Sequence, residues 1–205
     1  EFHEQSTYEV LIGLKSITQC ISKSHLKNLS ILVATPDLVG AEIELVGSED
    51  RSQRLRRAVS EVRDAFDYII IDCPPSLGLL TLNSLVAADS FLVPLQCEYF
   101  ALEGLSQLLN TAGIIKKGQN TDLKIEGIVL TMFDTRNRLS HQVMSEIKSH
   151  FGDKVFSTVI PRNVRLSEAP SHGKPIMEYD PKSVGSERYL SLASEIINKN
   201  ENLRN

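Results

Sequence analysis

The 205-residue chain holds only three cysteines, Cys20, Cys73 and Cys97, far apart and without a C-x-x-C pair. A disulfide framework and a cysteine-based zinc site are thereby excluded, and a reducing compartment is expected. No apolar run reaches the roughly 18 residues that a membrane-spanning helix needs, and no leader is visible at the start. Positive charge is not in excess: 22 lysines and arginines face 26 aspartates and glutamates, for a net charge of −4. A surface coated in basic charge is excluded, whereas a small basic patch is not. His141, His150 and His172 lack metal-ligand spacing, and no nucleophile–base–acid set can be assembled. None of the 11 glycines belongs to a G-x-x-x-x-G-K-[ST] loop, so the usual cradle for nucleotide phosphates is missing.

What remains is an ordinary globular composition, 41% hydrophobic and 23% charged, long enough for one well-buried α/β domain. The patterning predicts strands over residues 29–34, 68–72, 91–95, 124–132 and 155–160. Helices are predicted over 7–14, 38–44, 52–66, 79–87, 102–117, 139–151 and 185–198. Residues 162–181 read as a long, proline-rich connection. Strand and helix alternate, which points to a doubly wound, mostly parallel sheet with helices on both faces.

Residues 67–78 are the most informative. Ile69, Ile70 and Ile71 form a β-branched run that ends on Asp72 and then meets Pro74 and Pro75. Such a run suits a strand buried on both faces, and the prolines end it. A carboxylate at the carboxyl end of a sheet strand sits where open α/β sheets bind ligands. Asp72 is therefore a candidate for holding Mg²⁺ or orienting its waters beside a phosphate; the plain alternative is a turn acid. Asp67 reads as a turn residue, and Cys73 as a small buried one. Arg51, Arg54, Arg56, Arg57 and Arg63 resemble a basic patch, but Glu49, Asp50, Glu61 and Asp64 flank them. A solvated helix with internal ion pairs is expected there.

Four blocks carry a family resemblance: 34–45 (opening Ala-Thr-Pro-Asp-Leu-Val-Gly), 67–81 (opening Asp-Tyr-Ile-Ile-Ile-Asp-Cys-Pro-Pro-Ser-Leu-Gly), 96–109 (opening Gln-Cys-Glu-Tyr-Phe-Ala-Leu-Glu-Gly) and 159–175 (opening Val-Ile-Pro-Arg-Asn-Val-Arg-Leu-Ser-Glu-Ala-Pro). Together the chain resembles the ParA/Soj chromosome- and plasmid-partitioning ATPases, from about Tyr8 to the last helix. The resemblance implies a single P-loop NTPase-like domain over 1–205 in which the first β-α-β unit, with its Lys-Gly-Gly-Val-Gly-Lys-Thr-Thr loop and Asp-x-Asp-Pro-Gln segment, is absent. Loss of such a unit is expected to expose apolar sheet edges and lower stability.

The resemblance also implies roles. ATP and Mg²⁺ are the expected cofactors. Asp72 is the Walker B acid, acting on magnesium waters from the outer sphere. Pro161 and Asn163 border the adenine, although Pro and Asn also suit a plain strand-ending turn. Arg136 and Arg165 contact DNA phosphates without sequence preference, with Arg138 and Arg162 as weaker candidates. The partners implied are a ParB/Spo0J-type protein that stimulates hydrolysis, nonspecific DNA and a second copy in an ATP-bound dimer. The location implied is cytoplasmic and nucleoid-associated, with no membrane. Two alternatives stay open. One is a non-catalytic fragment that only binds a partner protein or DNA. The other is a MinD-like membrane ATPase, for which the tail 191–205 has few basic residues.

Overall fold

The computed structural model describes residues 5–74 and 76–204. Pro75, one of the two prolines read as ending a strand, lies outside the described residues. The fold comprises two compact units. One holds the described residues up to Ser90 together with Asn110–Lys124; the other holds Phe91–Leu109 together with the described residues from Ile125 on.

In the first unit, α1 (Thr7–Ile12) begins at a capping box: Ser6 Oγ accepts from the Tyr8 N–H, and Glu9 accepts from the Ser6 N–H at 2.8 Å. It stops short of the expected residue 14 because Gly13 turns left-handed at φ 82°. Next come α2 (Ile17–Cys20) and a two-stranded antiparallel pair, β1 (Ser22–Lys23) with β2 (Ser30–Ile31). Then follow α3 (Leu38–Glu44), α4 (Arg54–Ser60), a 3-10 turn at Arg63–Ala65, and α5 (Leu79–Ala87). One core gathers Val10, Ile17, Cys20, Ala58 and Val62; another gathers Leu11, Ala41, Leu45 and Leu55. Asn83, buried in α5, accepts from the Leu55 N–H and donates to the Arg51 carbonyl, tying α4 to α5.

Several sequence expectations need correction here. Residues 29–34 form ladder only at Ser30–Ile31; the Val33 carbonyl is instead taken by the N–H and hydroxyl of Thr7. The helix expected over 52–66 breaks where Val62 turns into the core at φ −123°. Residues 68–72 make no ladder at all. Ile71 packs on the Leu11–Leu55 core, but Tyr68, Ile69 and Ile70 are exposed, Ile70 by 91%. A strand needs a neighbour's N–H and C=O groups as well as apolar side chains, and no described residue supplies them to this run.

The second unit holds all but the first residues, Ser90 and Lys124, of a three-stranded sheet in the order β3 (Ser90–Gln96), β4 (Lys124–Phe133), β5 (Val155–Pro161). The Asp89 carbonyl meets Lys124 N and Cys97 N meets the Thr131 carbonyl, so β3 and β4 run the same way; β4 and β5 are parallel. Helices cover both faces. On one side Ile128, Leu130, Val93 and Leu95 pack against α6 (Ala101–Gly118) and α7 (Arg138–Phe151) through Leu105, Val143 and Ile147. On the other, Val129, Phe156 and Ile160 pack against Leu192 of α10 (Val184–Arg204). Residues 162–181, expected as a plain connection, hold α8 (Val164–Glu168), a 3-10 turn at Ala169–His172, and α9 (Ile176–Tyr179).

Candidate functional site

The carboxyl ends of β4 and β5 lie side by side, with Phe133 opposite Pro161. The approach to that rim is irregular. From Leu130 to Phe133 the β4 chain advances three residues while β5 advances two, Val159 to Pro161. The extra residue is Met132, whose φ of 52° lies in the left-handed region. A bulge of this kind inverts the alternation of a strand. Ile128 and Leu130 face the α6–α7 side, so residue 132 should follow them; instead Met132 is exposed and Phe133 enters that core, edge-on to His141.

Past the bulge the chain is held at several points. Arg162 N–H donates to the Phe133 carbonyl at 3.0 Å, and Asn137 N–H to the Asp134 carbonyl at 3.0 Å. His141 Nε2 lies 2.8 Å from the Thr135 carbonyl. Asn137 caps α7 by accepting from the Leu139 N–H. Arg136 thus stands in a fixed turn with its side chain 87% exposed, and Asp134 engages it with both oxygens at 3.1 and 3.0 Å. Arg136, through its side chain and then its backbone N–H, holds the Asp134 carboxyl down at about 2.

The β5 end is arranged similarly. Asn163 is the N-cap of α8, its Oδ1 accepting from the Arg165 N–H at 2.8 Å. The cap uses one lone pair of that oxygen and leaves both Nδ2 hydrogens uncommitted to it. Arg165 reaches Glu168 at 2.9 Å and Asp180 at 3.4 Å. Tyr179 donates to Glu168 and stacks on His172. Arg165 and then Tyr179 hold the Glu168 carboxyl below its ordinary range. The second unit therefore brings Arg136, in the turn after β4, beside Pro161, Arg162, Asn163 and Arg165, which run from the end of β5 into the first turn of α8. Arg138 opens α7.

Asp72 belongs to the first unit, exposed at the end of the unpaired run. Cys73, expected to be buried, is exposed because it follows that run out of the core. The arginines near α4 do carry internal ion pairs. Arg54 and Arg57 share Asp50, and Arg63 reaches across to Asp89, while Arg51 and Arg56 donate to the Val46 and Gln119 carbonyls.

The residues present do not by themselves fit a magnesium nucleotide. Among the described residues no group of three or more His, Cys, Asp or Glu could hold a metal ion, and Asp72 stands alone. A lone acid is compatible with an outer-sphere role, since Mg²⁺ keeps its waters and leans on substrate phosphates. No described segment has the glycine-rich loop that would hold those phosphates.

The AAA domain family matches residues 1–125. Over 193 residues the chain is 58% identical to the sporulation initiation inhibitor protein Soj of Bacillus subtilis (strain 168), covering 94% of this chain and 76% of that protein. The chain belongs to the Soj/ParA family of chromosome-partitioning ATPases. It is 55% identical over 192 residues to the chromosome partitioning protein ParA of Myxococcus xanthus (strain DK1622), covering 94% of this chain and 68% of that one. It also resembles the crystal structure of a cobyrinic acid a,c-diamide synthase from Mycobacterium smegmatis with bound ADP and magnesium. There the TM-score is 0.71 at 38% identity, over 78% of this chain and 64% of the other. The fold is the P-loop NTPase-like α/β fold, a parallel sheet with helices.

The acids Asp134, Glu168 and Asp180 were not anticipated as partners of the candidate arginines. The spacing of Asp134 to Arg136 and of Arg165 to Glu168 was readable in the sequence; the approach of Asp180 depends on tertiary structure.

Proposed function

We propose that this chain acts in chromosome or plasmid partitioning by associating with DNA without sequence preference, through Arg136 and Arg165. The association depends on ATP and on a second copy of the chain, and a ParB/Spo0J-type protein accelerates turnover. Asp72 serves magnesium waters, and Pro161 and Asn163 border the adenine. The whole constitutes a single NTPase domain. The observation that carries the DNA reading is the pairing of Phe133 with Pro161, since the chain segments leaving those two residues bear three guanidiniums, Arg136, Arg162 and Arg165. Guanidinium forks suit phosphate oxygens and stay charged. The test is titration of a short duplex of arbitrary sequence with the full-length protein and ATP. Arg136→Ala and Arg165→Ala are each expected to weaken binding on every sequence and to flatten the log K–log salt slope by up to about 0.9. Unchanged affinity in both variants would refute the reading.

A second reading, a non-catalytic chain that only binds a partner protein or DNA, is favoured by the exposed, unpaired setting of Asp72. It is separated from the first by ATP turnover of the full-length protein, which Asp72→Ala abolishes only if the acid serves the metal. The membrane-associated alternative draws little support. Leu192 and Ile196 of α10 turn toward Phe156 and Ile160, and Lys199 is drawn to Glu126.

A further inference from the structure

We propose that Asp134 competes with DNA phosphate for Arg136, so that this acid sets how tightly the loop after β4 grips DNA. The inference rests on the DNA reading of Arg136 given above. Asp134 Oδ1 accepts from Arg136 Nε at 3.1 Å and Oδ2 from Nη2 at 3.0 Å. This two-point contact is the one a guanidinium makes with phosphate. A phosphate on that edge must displace the carboxylate; one on the other edge must bind within the carboxylate's field.

The acid is the fixed member of the pair. Its side chain is 26% exposed against 87% for Arg136. Its carbonyl accepts from the Asn137 N–H, its Oδ1 also accepts from the Arg136 N–H at 3.0 Å, and the preceding Phe133 is anchored in the core. Protonation does not remove the competitor at any ordinary pH, because Arg136 keeps the carboxyl near 2. The neighbouring loop repeats the arrangement, with Arg165 on Glu168 and Asp180. Three guanidiniums, Arg136, Arg162 and Arg165, thus stand among three carboxylates, Asp134, Glu168 and Asp180. These six groups carry forks for phosphate but no net charge. Binding there is an exchange of carboxylate for phosphate, not the filling of a bare positive patch.

Asp134→Asn removes the charge while its amide oxygen can still accept from the Arg136 N–H. In the duplex titration with the full-length protein and ATP, the part of the Arg136–phosphate contact that the carboxylate cancels is expected to return. Binding should tighten, by up to about eight-fold at about 0.1 M salt, and the salt slope should steepen by up to about 0.9. Asp134→Glu keeps the charge and is expected to bind as the wild type does. In an Arg136→Ala background most of the gain from Asp134→Asn is expected to vanish. If circular dichroism shows Asp134→Asn to be misfolded, Asp134→Ser carries the same expectation. Unchanged or weaker binding by the neutral variant, an equal gain without Arg136, or a gain with Asp134→Glu overturns the proposal while leaving the DNA reading intact. If Arg136→Ala alone has no effect, the DNA reading of Arg136 fails first.

Discussion

Glu195→Ala is expected to destabilise the second unit by an amount that follows from the irregular start of β5. From Ile128 to Leu130 the β4 chain advances two residues, while β5 advances four, Val155 to Val159. The surplus lets two successive N–H groups of β5 converge on one carboxylate of α10: Ser157 N at 2.7 Å and Thr158 N at 3.0 Å, with Ser157 Oγ at 2.8 Å. In a regular strand successive N–H groups point opposite ways, so Glu195 satisfies donors that the ladder cannot. Thr158 is buried and Ser157 exposed. Orphaning the Thr158 N–H costs about 1.5–3 kcal/mol, whereas the Ser157 groups turn to water and lose about 0.5–1 kcal/mol. The expected total is about 2–4 kcal/mol. Glu195→Gln, which keeps an acceptor without its charge, should lose about half of that. Burial pushes the Glu195 carboxyl up, but the hydrogen bonds from Ser157 and Thr158 together hold it below the ordinary value. A carboxyl depressed by folding stabilises above its unfolded pKa and loses that contribution as pH falls through the folded one. Urea unfolding followed by far-ultraviolet circular dichroism, near neutrality and again on the acid side of the glutamate range, measures both effects. The Ala and Gln variants should approach the wild type as the carboxyl protonates. A Glu195→Ala protein within about 0.5 kcal/mol of wild type near neutrality would refute the reasoning.

Two further outcomes are expected. Asn120 is buried, and its Nδ2 donates to the Leu85 and Ala88 carbonyls at 2.9 and 2.7 Å, closing the carboxyl end of α5. Asn120→Ala should cost about 1–3 kcal/mol in the same unfolding assay, and wild-type stability would show those carbonyls to be satisfied otherwise. Native thiol alkylation near neutral pH should modify Cys73 alone. Cys73 is exposed, whereas burial pushes the Cys20 thiol up and that of Cys97 up to about 11; rapid modification of Cys97, read by peptide mass, contradicts this.

Elements whose signal is carried within the segment were legible in the sequence. α5 spans Leu79–Ala87 as expected, and α6, α7 and β3–β5 match to within a residue or two, because each shows its periodicity internally. α10 starts one residue early but runs past the expected 198 to Arg204. Residues 68–72 show the limit of that signal. Three isoleucines specify an apolar, extended run, yet ladder formation depends on a neighbour that the run itself does not encode. β1 and β2, two residues each, are too short to leave a pattern.

The candidate site was legible in its cations and not in their setting. Arg162 and Arg165 lie in a family block and Arg136 at a position the resemblance implies, but the Met132 bulge could not be read. Ile128 through Phe133 reads Ile-Val-Leu-Thr-Met-Phe, and with apolar residues at both 132 and 133 an inserted residue leaves no mark on the pattern. The inversion it causes is nonetheless what anchors Phe133 and holds Asp134 against Arg136. An exposed arginine contributes to DNA affinity only so far as its field is uncancelled, so counting arginines overstates what this rim can hold. On the proposed DNA reading the three carboxylates offset the three guanidiniums, so a single acid-to-amide change is expected to tighten duplex binding just as deleting one of the arginines is expected to weaken it.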